Sequence, residues 1–326
     1  MKKILGIGNA LVDIMTILEN EDFLNKFNLQ KGSMQLVDGD FSSQVLHHAN
    51  DMRKELSSGG SAANTIHGLA NLGISTSFVG KTGKDNYGRF FADDMRNIGI
   101  NPMLFEGNAE TGRAIALITP DSERTFATYL GSAIELTADD LSEEIFAGHD
   151  YFYIEGYLVQ NRELILKAVQ LAKQLNIKIF LDLASYNVVE QNLGFLKDIV
   201  TNYVDIVFAN EEEAKAFTGK EPEEALDEIA EICEIAVVKV GKRGSLIKYE
   251  GQVYKIDPIV CNCIDTTGAG DSYSAGFIYG LSCGYSLDKC GAIGSLMSGK
   301  VIEVIGAKMN DSQWKEIKMH ISKIVE

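Results

Sequence analysis

Short apolar runs alternate with longer stretches of helical periodicity through most of the chain. The apolar runs predict β-strands at residues 3–7, 76–80, 151–155, 178–183, 206–209, 236–240 and 245–249. The stretches between them predict α-helices at residues 60–71, 87–97, 161–175, 211–218, 222–233, 271–283 and 286–303. This alternation is typical of an α/β fold, in which helices cover both faces of a mostly parallel sheet.

Two parts of the chain break this alternation. Residues 11–18 with 33–37, and residues 111–119 with 124–130, read as strands joined by turns, and the second pair reads as a hairpin around residues 120–123. They predict a small sheet that is separate from the main one. An extension at the edge of the core sheet would give the same pattern, and this alternative stays open.

The composition limits the classes of protein and partner. With 326 residues and 45% hydrophobic residues, the chain is long enough for one large α/β domain with an appendage or for two ordinary domains. It contains no apolar run of about 18 residues and no signal peptide, so we expect a cytoplasmic protein without a membrane partner. A formal net charge of −16 disfavours nucleic acid as a partner, because nucleic-acid binding needs a basic surface.

The segment of residues 265–271, Asp-Thr-Thr-Gly-Ala-Gly-Asp, carries the strongest chemical signal. Gly268 and Gly270 lack a Cβ atom, so the amides of these residues and of Ala269 are able to converge on an anion at the start of the following helix. Asp271 at the helix entrance is suited to take a proton from a hydroxyl group that attacks a phosphate. The ordinary alternative is a glycine turn with Asp271 as the N-cap.

Two distant motifs carry a family resemblance. Residues 265–277 resemble the C-terminal signature of the ribokinase-like (PfkB) family of carbohydrate and nucleoside kinases, and residues 59–64 and 68–73 resemble its N-terminal signature. The resemblance extends from residues 6–9 to Gly306. It implies a three-layer ribokinase-like α/β fold with a mostly parallel central sheet and a small β-sheet lid. The implied division assigns residues 1–9, 38–104 and 136–326 to the core and residues 10–37 and 105–135 to the lid.

The resemblance also implies roles for residues around the acceptor. In the family, an aspartate at the position of Asp13 binds two hydroxyl groups of the sugar, for which the two oxygens of a carboxylate are suited. The residues that would complete the sugar pocket are Gly59, Gly60 and Asn64. Residues 9–13 resemble the adenosine-kinase form of this motif more than the ribokinase form. Gln35 lies where an amide of the lid would read the edge of a base.

Further motifs are assigned by the same resemblance to the nucleotide and its metal. Asn210 and Glu213 match the family's Asn-x-x-Glu motif, in which Glu213 would organise Mg²⁺ through water, although acidic residues are common in a first helical turn. The other nucleotide-binding candidates are Asn187, Lys239, Gly241 and Gly244. Asp265 and Thr267 match a loop that holds a monovalent cation such as K⁺ in some members. Arg124 projects either toward the transferred phosphate or into solvent.

Together these features predict an ATP-dependent kinase that phosphorylates a primary hydroxyl group of a sugar or nucleoside, with adenosine preferred. Asp271 would act as the base, the loop amides would stabilise the phosphoryl group, and Mg²⁺ would bridge the phosphate oxygens. The alternatives are a sugar kinase acting on ribose, fructose or a keto-deoxy sugar acid, and a non-catalytic sensor of sugars or nucleotides. In many family members the lid also pairs with a second subunit, which implies a homodimer.

Overall fold

The computed structural model describes residues 2–121 and 123–326 of the chain. The strands in this part of the chain are β1 (Lys3–Ile7), β2 (Leu11–Ile17), β3 (Met34–Leu36), β4 (Lys54–Gly59), β5 (Ser75–Thr82), β6 (Asn101–Glu106), β7 (Gly112–Ile118), β8 (Arg124–Tyr129), β9 (Tyr151–Glu155), β10 (Lys178–Asp182), β11 (Ile206–Asn210), β12 (Ile235–Lys239), β13 (Ser245–Tyr249) and β14 (Gln252–Ile256). They form two separate sheets.

The large sheet has the strand order β14-β13-β12-β11-β10-β9-β1-β5-β6 within the described residues. Neighbouring strands from β12 to β6 are parallel, whereas β13 and β14 are antiparallel additions at one edge. The central strands are buried on both faces, as the residues of β9 show, and this is why they read as continuous apolar runs. The predicted mostly parallel sheet is confirmed.

Helices cover both faces of the large sheet. The α-helices of the described residues are α1 (Asp22–Lys26), α2 (Gly39–His48), α3 (Ser61–Asn71), α4 (Asn86–Asn97), α5 (Glu143–Phe146), α6 (Arg162–Gln174), α7 (Tyr186–Tyr203), α8 (Glu211–Thr218), α9 (Pro222–Ile229), α10 (Ala269–Ser282), α11 (Leu287–Val301) and α12 (Asp311–Val325). Helices α6, α7, α8 and α9 pack on one face of the sheet in one hydrophobic cluster. Helices α3, α10, α11 and α12 pack on the other face in a second cluster. The three-layer fold that the sequence predicted is therefore confirmed.

The smaller sheet has the order β3-β8-β7-β2-β4 within the described residues. One of its faces packs against α1 and α2, where Ile115, Leu117 and Ala127 meet Leu24 and Val45. Side chains alternate along a strand, so every second residue of β2, β7 and β8 points the other way, into the cleft between the two sheets. The smaller sheet therefore supplies one wall of that cleft.

Some elements differ from the prediction. Strand β4 lies in the range 38–104 that the sequence assigned to the core, yet it pairs with β2 of the smaller sheet. Its sequence, Lys-Glu-Leu-Ser-Ser-Gly, has no hydrophobic alternation that would predict a strand, because it is a partly exposed edge. The division of the chain into core and lid otherwise stays a prediction. No helix of the described residues is long and apolar enough to cross a membrane.

Candidate active site

The site lies at the carboxyl ends of the parallel strands, where open α/β sheets bind ligands. The loop after β14 leads there into α10, which begins at Ala269, two residues before the predicted start. Gly268 precedes the helix with φ +73°, a conformation that favours glycine. A Cβ atom on Gly268 would also lie 2.6 Å from the Cβ atom of Ala307. Both constraints explain why the loop needs a glycine here.

The loop amides differ in their availability to an anion. The Ala269 amide donates to the Thr266 carbonyl at 3.2 Å, whereas the amides of Gly268 and Gly270 make no such bond to the described residues. Of the three amides predicted to bind an anion, those of Gly268 and Gly270 are therefore free to do so in this conformation, and that of Ala269 is not. Both amides lie at the positive end of the α10 dipole, which favours a negatively charged group.

Asp271 lies in the first turn of α10, where two side chains of α3 hold its carboxylate. Ser61 Oγ donates to one carboxylate oxygen at 2.7 Å, and Asn64 Nδ2 donates to the other at 3.0 Å. Burial raises the pKa of Asp271 to about 6, although the bonds from Ser61 and Asn64 oppose this shift. The carboxylate is consequently ionised at neutral pH and close to the pKa that suits a general base.

Lys239 supplies a positive charge beside the glycine loop. Its ammonium is paired with Asp182 at 2.9 Å, and a Cβ atom on Gly270 would lie 3.2 Å from Lys239 Nζ. Burial would lower the pKa of Lys239, but the charges of Asp182 and Glu213 outweigh burial and raise it. The lysine therefore stays charged next to the place where the loop amides point.

Glu213 lies in the first turn of α8, which directly follows β11. Its carboxylate accepts hydrogen bonds from the Asn210 backbone amide at 2.7 Å and from the Asn210 side-chain amide at 2.6 Å. Burial and the neighbouring Asp182 raise the pKa of Glu213 to about 7. Each carboxylate oxygen already accepts one hydrogen bond and Glu213 is 3% exposed, so the pair is suited to hold Mg²⁺ through water. No group of three His, Cys, Asp or Glu side chains in the described residues is arranged to hold a metal.

Glu155 is a site residue that the sequence analysis missed. It ends β9 and is 1% exposed. Its carboxylate accepts hydrogen bonds from the backbone amides of Asn9, at 3.0 Å, and Ala62, at 2.9 Å, and from the Asn9 side chain. Burial raises the pKa of Glu155 to about 7. An acidic last residue in an otherwise apolar strand was the signal that could have identified it.

Asp13 lies on the cleft face of β2. A Cβ atom on Gly59 would lie 2.2 Å from Asp13 Oδ1, so glycine at position 59 leaves room for the carboxylate. Gly60 has φ +101° and passes so close to the Asn9 carbonyl oxygen that a Cβ atom would lie 2.2 Å from it. The structure thus brings Asp13, Gly60 and Asn64 to the same cavity as Asp271.

Arg124 is buried and does not extend into solvent. From β8 of the smaller sheet its guanidinium pairs with Asp265 at 2.5 Å, and their side chains are 10% and 3% exposed. Asp265 also accepts from the Thr267 amide and hydroxyl and from the Gly306 amide. Protein donors therefore occupy the carboxylate that was predicted to hold a monovalent cation.

The cleft contains two connected cavities. The nucleotide-side cavity, of about 700 Å³, contains Asp271, the loop glycines, Lys239 and the predicted residues Asn210, Glu213, Gly241, Gly244 and Thr267. The acceptor-side cavity, of about 940 Å³, lies between the smaller sheet and the core and has walls of Leu11, Leu36, Ala114, Ile134 and Leu136. Gly60, Ser61 and Tyr157 line both cavities. Ser61, which donates a hydrogen bond to Asp271, therefore lies at the junction of the two cavities.

Two predicted residues lie elsewhere. Gln35 donates to Ser33 Oγ, and its neighbours Met34 and Leu36 line the acceptor-side cavity instead, because alternate residues of β3 face opposite ways. Asn187 lies in the acceptor-side cavity and not with the nucleotide-side residues. It belongs to the first turn of α7, a helix that the sequence analysis did not predict.

A glycine loop at a helix start, with a carboxylate beside it, is the arrangement expected of a phosphotransferase that acts on a hydroxyl group. Comparison with known families agrees, because the model described as pfkB family carbohydrate kinase matches residues 34–314. The chain belongs to the pfkB family of carbohydrate kinases. It is therefore a kinase of the sugar and nucleoside type, for which the family implies ATP as the phosphoryl donor.

The similar proteins include sugar kinases and adenosine kinases. A probable sugar kinase protein from Rhizobium etli superposes with a TM-score of 0.88 at 33% identity, over 99% of each chain. The adenosine kinase from Sinorhizobium meliloti gives a TM-score of 0.86 at 31% identity, over 98% of this chain and 99% of that one. A 5-dehydro-2-deoxygluconokinase from Bacillus subtilis is 27% identical over 284 residues, which cover 82% of this chain and 86% of the relative.

Proposed function

We propose that the protein transfers the γ-phosphoryl group of ATP to a primary hydroxyl group of a nucleoside, with adenosine as the first candidate. The observation that carries this proposal is the position of Asp271. Its ionised carboxylate lines the nucleotide-side cavity next to the glycine loop and accepts from Ser61, which also lines the acceptor-side cavity. The loop amides and Lys239 suit the phosphates of a nucleoside triphosphate, and the apolar walls of the acceptor-side cavity suit the base of an acceptor nucleoside.

In the proposed reaction, the acceptor oxygen attacks the γ-phosphorus while its proton passes to Asp271. A bond forms between that oxygen and phosphorus, and the bond from phosphorus to the β–γ bridging oxygen breaks, which releases ADP. The amides of Gly268 and Gly270 and the Lys239 ammonium stabilise the charge on the transferring group. Mg²⁺, held through water by Glu213, would neutralise charge on the phosphate oxygens. Asp13 and Asn64 would bind the acceptor hydroxyl groups and orient the reacting oxygen.

Two features of the acceptor-side cavity favour a nucleoside over a free sugar. The acceptor-side cavity is larger than a pentose needs, and the smaller sheet lines it with apolar side chains such as Leu36 and Ala114. The fold is shared by the probable sugar kinase at 33% identity and by the adenosine kinase at 31%, so the cavity and not the similarity carries this preference. Because Gln35 faces away from this cavity, recognition of the base would depend on apolar contact more than on the predicted amide.

A second candidate is a keto-deoxy sugar acid. The relative from Bacillus subtilis is named for such a substrate, and Arg162 lines the acceptor-side cavity, where a guanidinium could bind a carboxylate. The Arg162 guanidinium also lies over the Phe195 ring at 5.4 Å, which holds it in place. We rank this candidate second because the acidic Glu155 and Glu163 line the same cavity.

The experiment is to follow ADP release from Mg-ATP by the purified protein with adenosine, inosine, ribose, fructose and 5-dehydro-2-deoxygluconate, and to identify the product by mass spectrometry. We expect turnover with adenosine to give its 5′-phosphate. Turnover confined to the sugar acid would establish the second candidate instead. Ligand binding without ADP release from any acceptor would contradict the kinase proposal and favour a sensor.

The assembly and the cellular location stay predictions. Ile17, Met34, Leu36 and Leu56 of the smaller sheet expose apolar side chains, which is consistent with a homodimer through that sheet. Sedimentation equilibrium at several protein concentrations would show a dimer mass if this prediction is correct, and the monomer mass throughout if it is not. The cytoplasmic location rests on the sequence alone.

A further inference from the structure

The ammonium group of Lys308 is buried, although part of the side chain that carries it is exposed. Lys308 as a residue is intermediate in exposure, yet its Nζ atom is buried and makes no hydrogen bond to the described residues. Lysine side chains usually bury their apolar stem and keep the charge in water. Burial of an unpaired ammonium is costly, so nearby negative charge must compensate for it.

The backbone around Lys308 connects the two halves of the site. The Gly306 amide donates to Asp265 at 2.6 Å, and Ala307 packs against Gly268 of the glycine loop. On its other side this segment meets β2, because a Cβ atom on Gly306 would lie 2.8 Å from Met15 Sδ. Met15 and Asp13 are two residues apart on one strand and so share a face. The segment therefore packs on the face of β2 that carries Asp13.

The buried Lys308 ammonium interacts electrostatically with charged and titratable groups of four elements. They are Asp13 of β2, Asp94 of α4, Asp271 of α10 and His67 of α3. Burial lowers the pKa of Lys308 to about 8, and the charges of Asp13, Asp94 and Asp271 oppose this shift. Burial also lowers the pKa of His67 well below its usual range, so the histidine is neutral at neutral pH. Among these five side chains, Lys308 is therefore the one that carries a positive charge at neutral pH.

We propose that Lys308 is a positioning residue for the acceptor, and that its buried ammonium keeps the Asp13 carboxylate anionic and turned toward the cavity. Lys308 does not line either cavity, whereas Asp13 does, so the lysine acts through the aspartate. This inference rests on the proposed function, because it assumes that Asp13 binds the hydroxyl groups of the acceptor.

The charge is needed because two carboxylates share the site. Burial raises the pKa of Asp13 to about 6, Lys308 lowers it, and Asp271 raises it further. Without the ammonium, Asp13 would retain a proton at a higher pH, and a protonated carboxyl group offers one acceptor oxygen fewer. Neutral Asp13 would bind a pair of hydroxyl groups less well. A variant without the ammonium should therefore bind the acceptor less well near neutral pH. The difference from the wild type should disappear at high pH, where Asp13 is ionised in both proteins and wild-type Lys308 itself loses its charge.

The test compares Lys308→Met and Lys308→Gln, which remove the charge, with Lys308→Arg, which keeps it. Lys300→Met is the matched control, because the Lys300 side chain is also largely buried but pairs with Glu303, which follows α11, and with Glu316 of α12. For both neutral variants we expect the acceptor KM to rise about 3-fold near pH 6.5, to match the wild-type value near pH 8.5, and the ATP KM to stay unchanged. Lys308→Arg should keep the wild-type pH profile.

A second measurement needs no turnover. In protein labelled with ¹³C at the aspartate carboxyl carbons, the Asp13 signal, assigned with Asp13→Asn, should titrate near pH 6 in the wild type. In Lys308→Gln its midpoint should be at least about one pH unit higher. An unchanged midpoint, or a loss of acceptor affinity that is equal at both pH values, would overturn the inference. Absence of turnover in the wild type would instead overturn the proposed function, and the titration would still decide the role of Lys308.

Discussion

The two cavities of the cleft are built in different ways. On the nucleotide side, Gly268, Gly270 and Asp271 are neighbours in the sequence and occupy one helix start. On the acceptor side, the walls come from positions as distant as Leu11, Ala114 and Leu136, which meet only because two sheets face each other. The nucleotide side carries six carboxylates and two ammonium groups, of which Asp182 and Lys239 form an ion pair, while the acceptor side has apolar walls from the smaller sheet.

This difference separates chemistry from specificity. Phosphoryl transfer needs a small set of groups in a fixed geometry, and one turn of helix with its preceding loop is able to provide most of it. Selection of an acceptor depends on the shape of a large surface, to which each residue contributes little. We therefore expect substitutions on the nucleotide side to affect turnover strongly and substitutions on the acceptor side to change preference.

The largest effect is expected for Asp271→Asn. The amide keeps the shape but cannot take the proton, so kcat should fall about 10³-fold while acceptor affinity changes little. Single-turnover kinetics and calorimetric binding would measure the two quantities. Asp288→Asn, in the exposed first turn of α11, is the matched control and should behave as wild type. Turnover of Asp271→Asn near the wild-type rate would refute the role of the base.

Lys239→Met should have the next largest effect, with kcat lower by about 10²-fold and a higher KM for ATP, because a charge beside the transferring group is lost. The variant also leaves the buried Asp182 carboxylate without its ion-pair partner. The double variant Asp182→Asn with Lys239→Met removes that penalty, and we expect it to regain thermal stability but not kcat. Recovery of kcat in the double variant would show that the lysine only neutralises Asp182.

A smaller and more selective effect is expected on the acceptor side. Leu36→Ala removes apolar surface from the cavity wall, so KM for adenosine should rise about 5-fold while KM for ribose and kcat stay the same. Leu56→Ala, on the opposite edge strand of the same sheet, does not alter either cavity and serves as the control. Equal changes for adenosine and ribose would argue against a base in this cavity.

The smallest effect is expected from monovalent cations. Because Arg124 already pairs with Asp265, replacing K⁺ by choline at constant ionic strength should change kcat/KM by less than about 2-fold. The measurement is initial rate against K⁺ concentration. Activation of more than about 10-fold would mean that K⁺ binds with Arg124 in place or displaces it.

The sequence predicted what depends on local pattern. The apolar runs located most strands of the large sheet, and the segment 265–271 located the helix start that carries Asp271. Helix α12 was missed although Trp314, Ile317 and Ile321 recur on one face, so it was within reach of the same reasoning. Helix α7 is harder to predict, because Asn192 has a non-helical backbone in its middle.

The remaining features depend on contacts between distant residues. Gln35 was assigned by its place in a motif, but the register of β3 against β8 decides which way it faces. Arg124 looked equally like a surface residue until its partner Asp265 was located across the cleft. Nothing near Lys308 in the sequence indicates that the charges of three distant carboxylates act on it. A single sequence carries no direct information on such long-range pairs.

The bonds between Asn9 and Glu155 have a consequence for the order of folding. Strands β9 to β14 each pair with the next strand along the chain, so they are able to assemble by short closures. Asn9 and Glu155 are 146 positions apart, and β1 pairs with β9 over a similar separation in the sequence. Closing so long a loop costs more entropy, so this pairing should form more slowly. We expect pulsed hydrogen exchange to show β10 and β11 protected before β1. The opposite order would mean that the N-terminal strand nucleates the sheet.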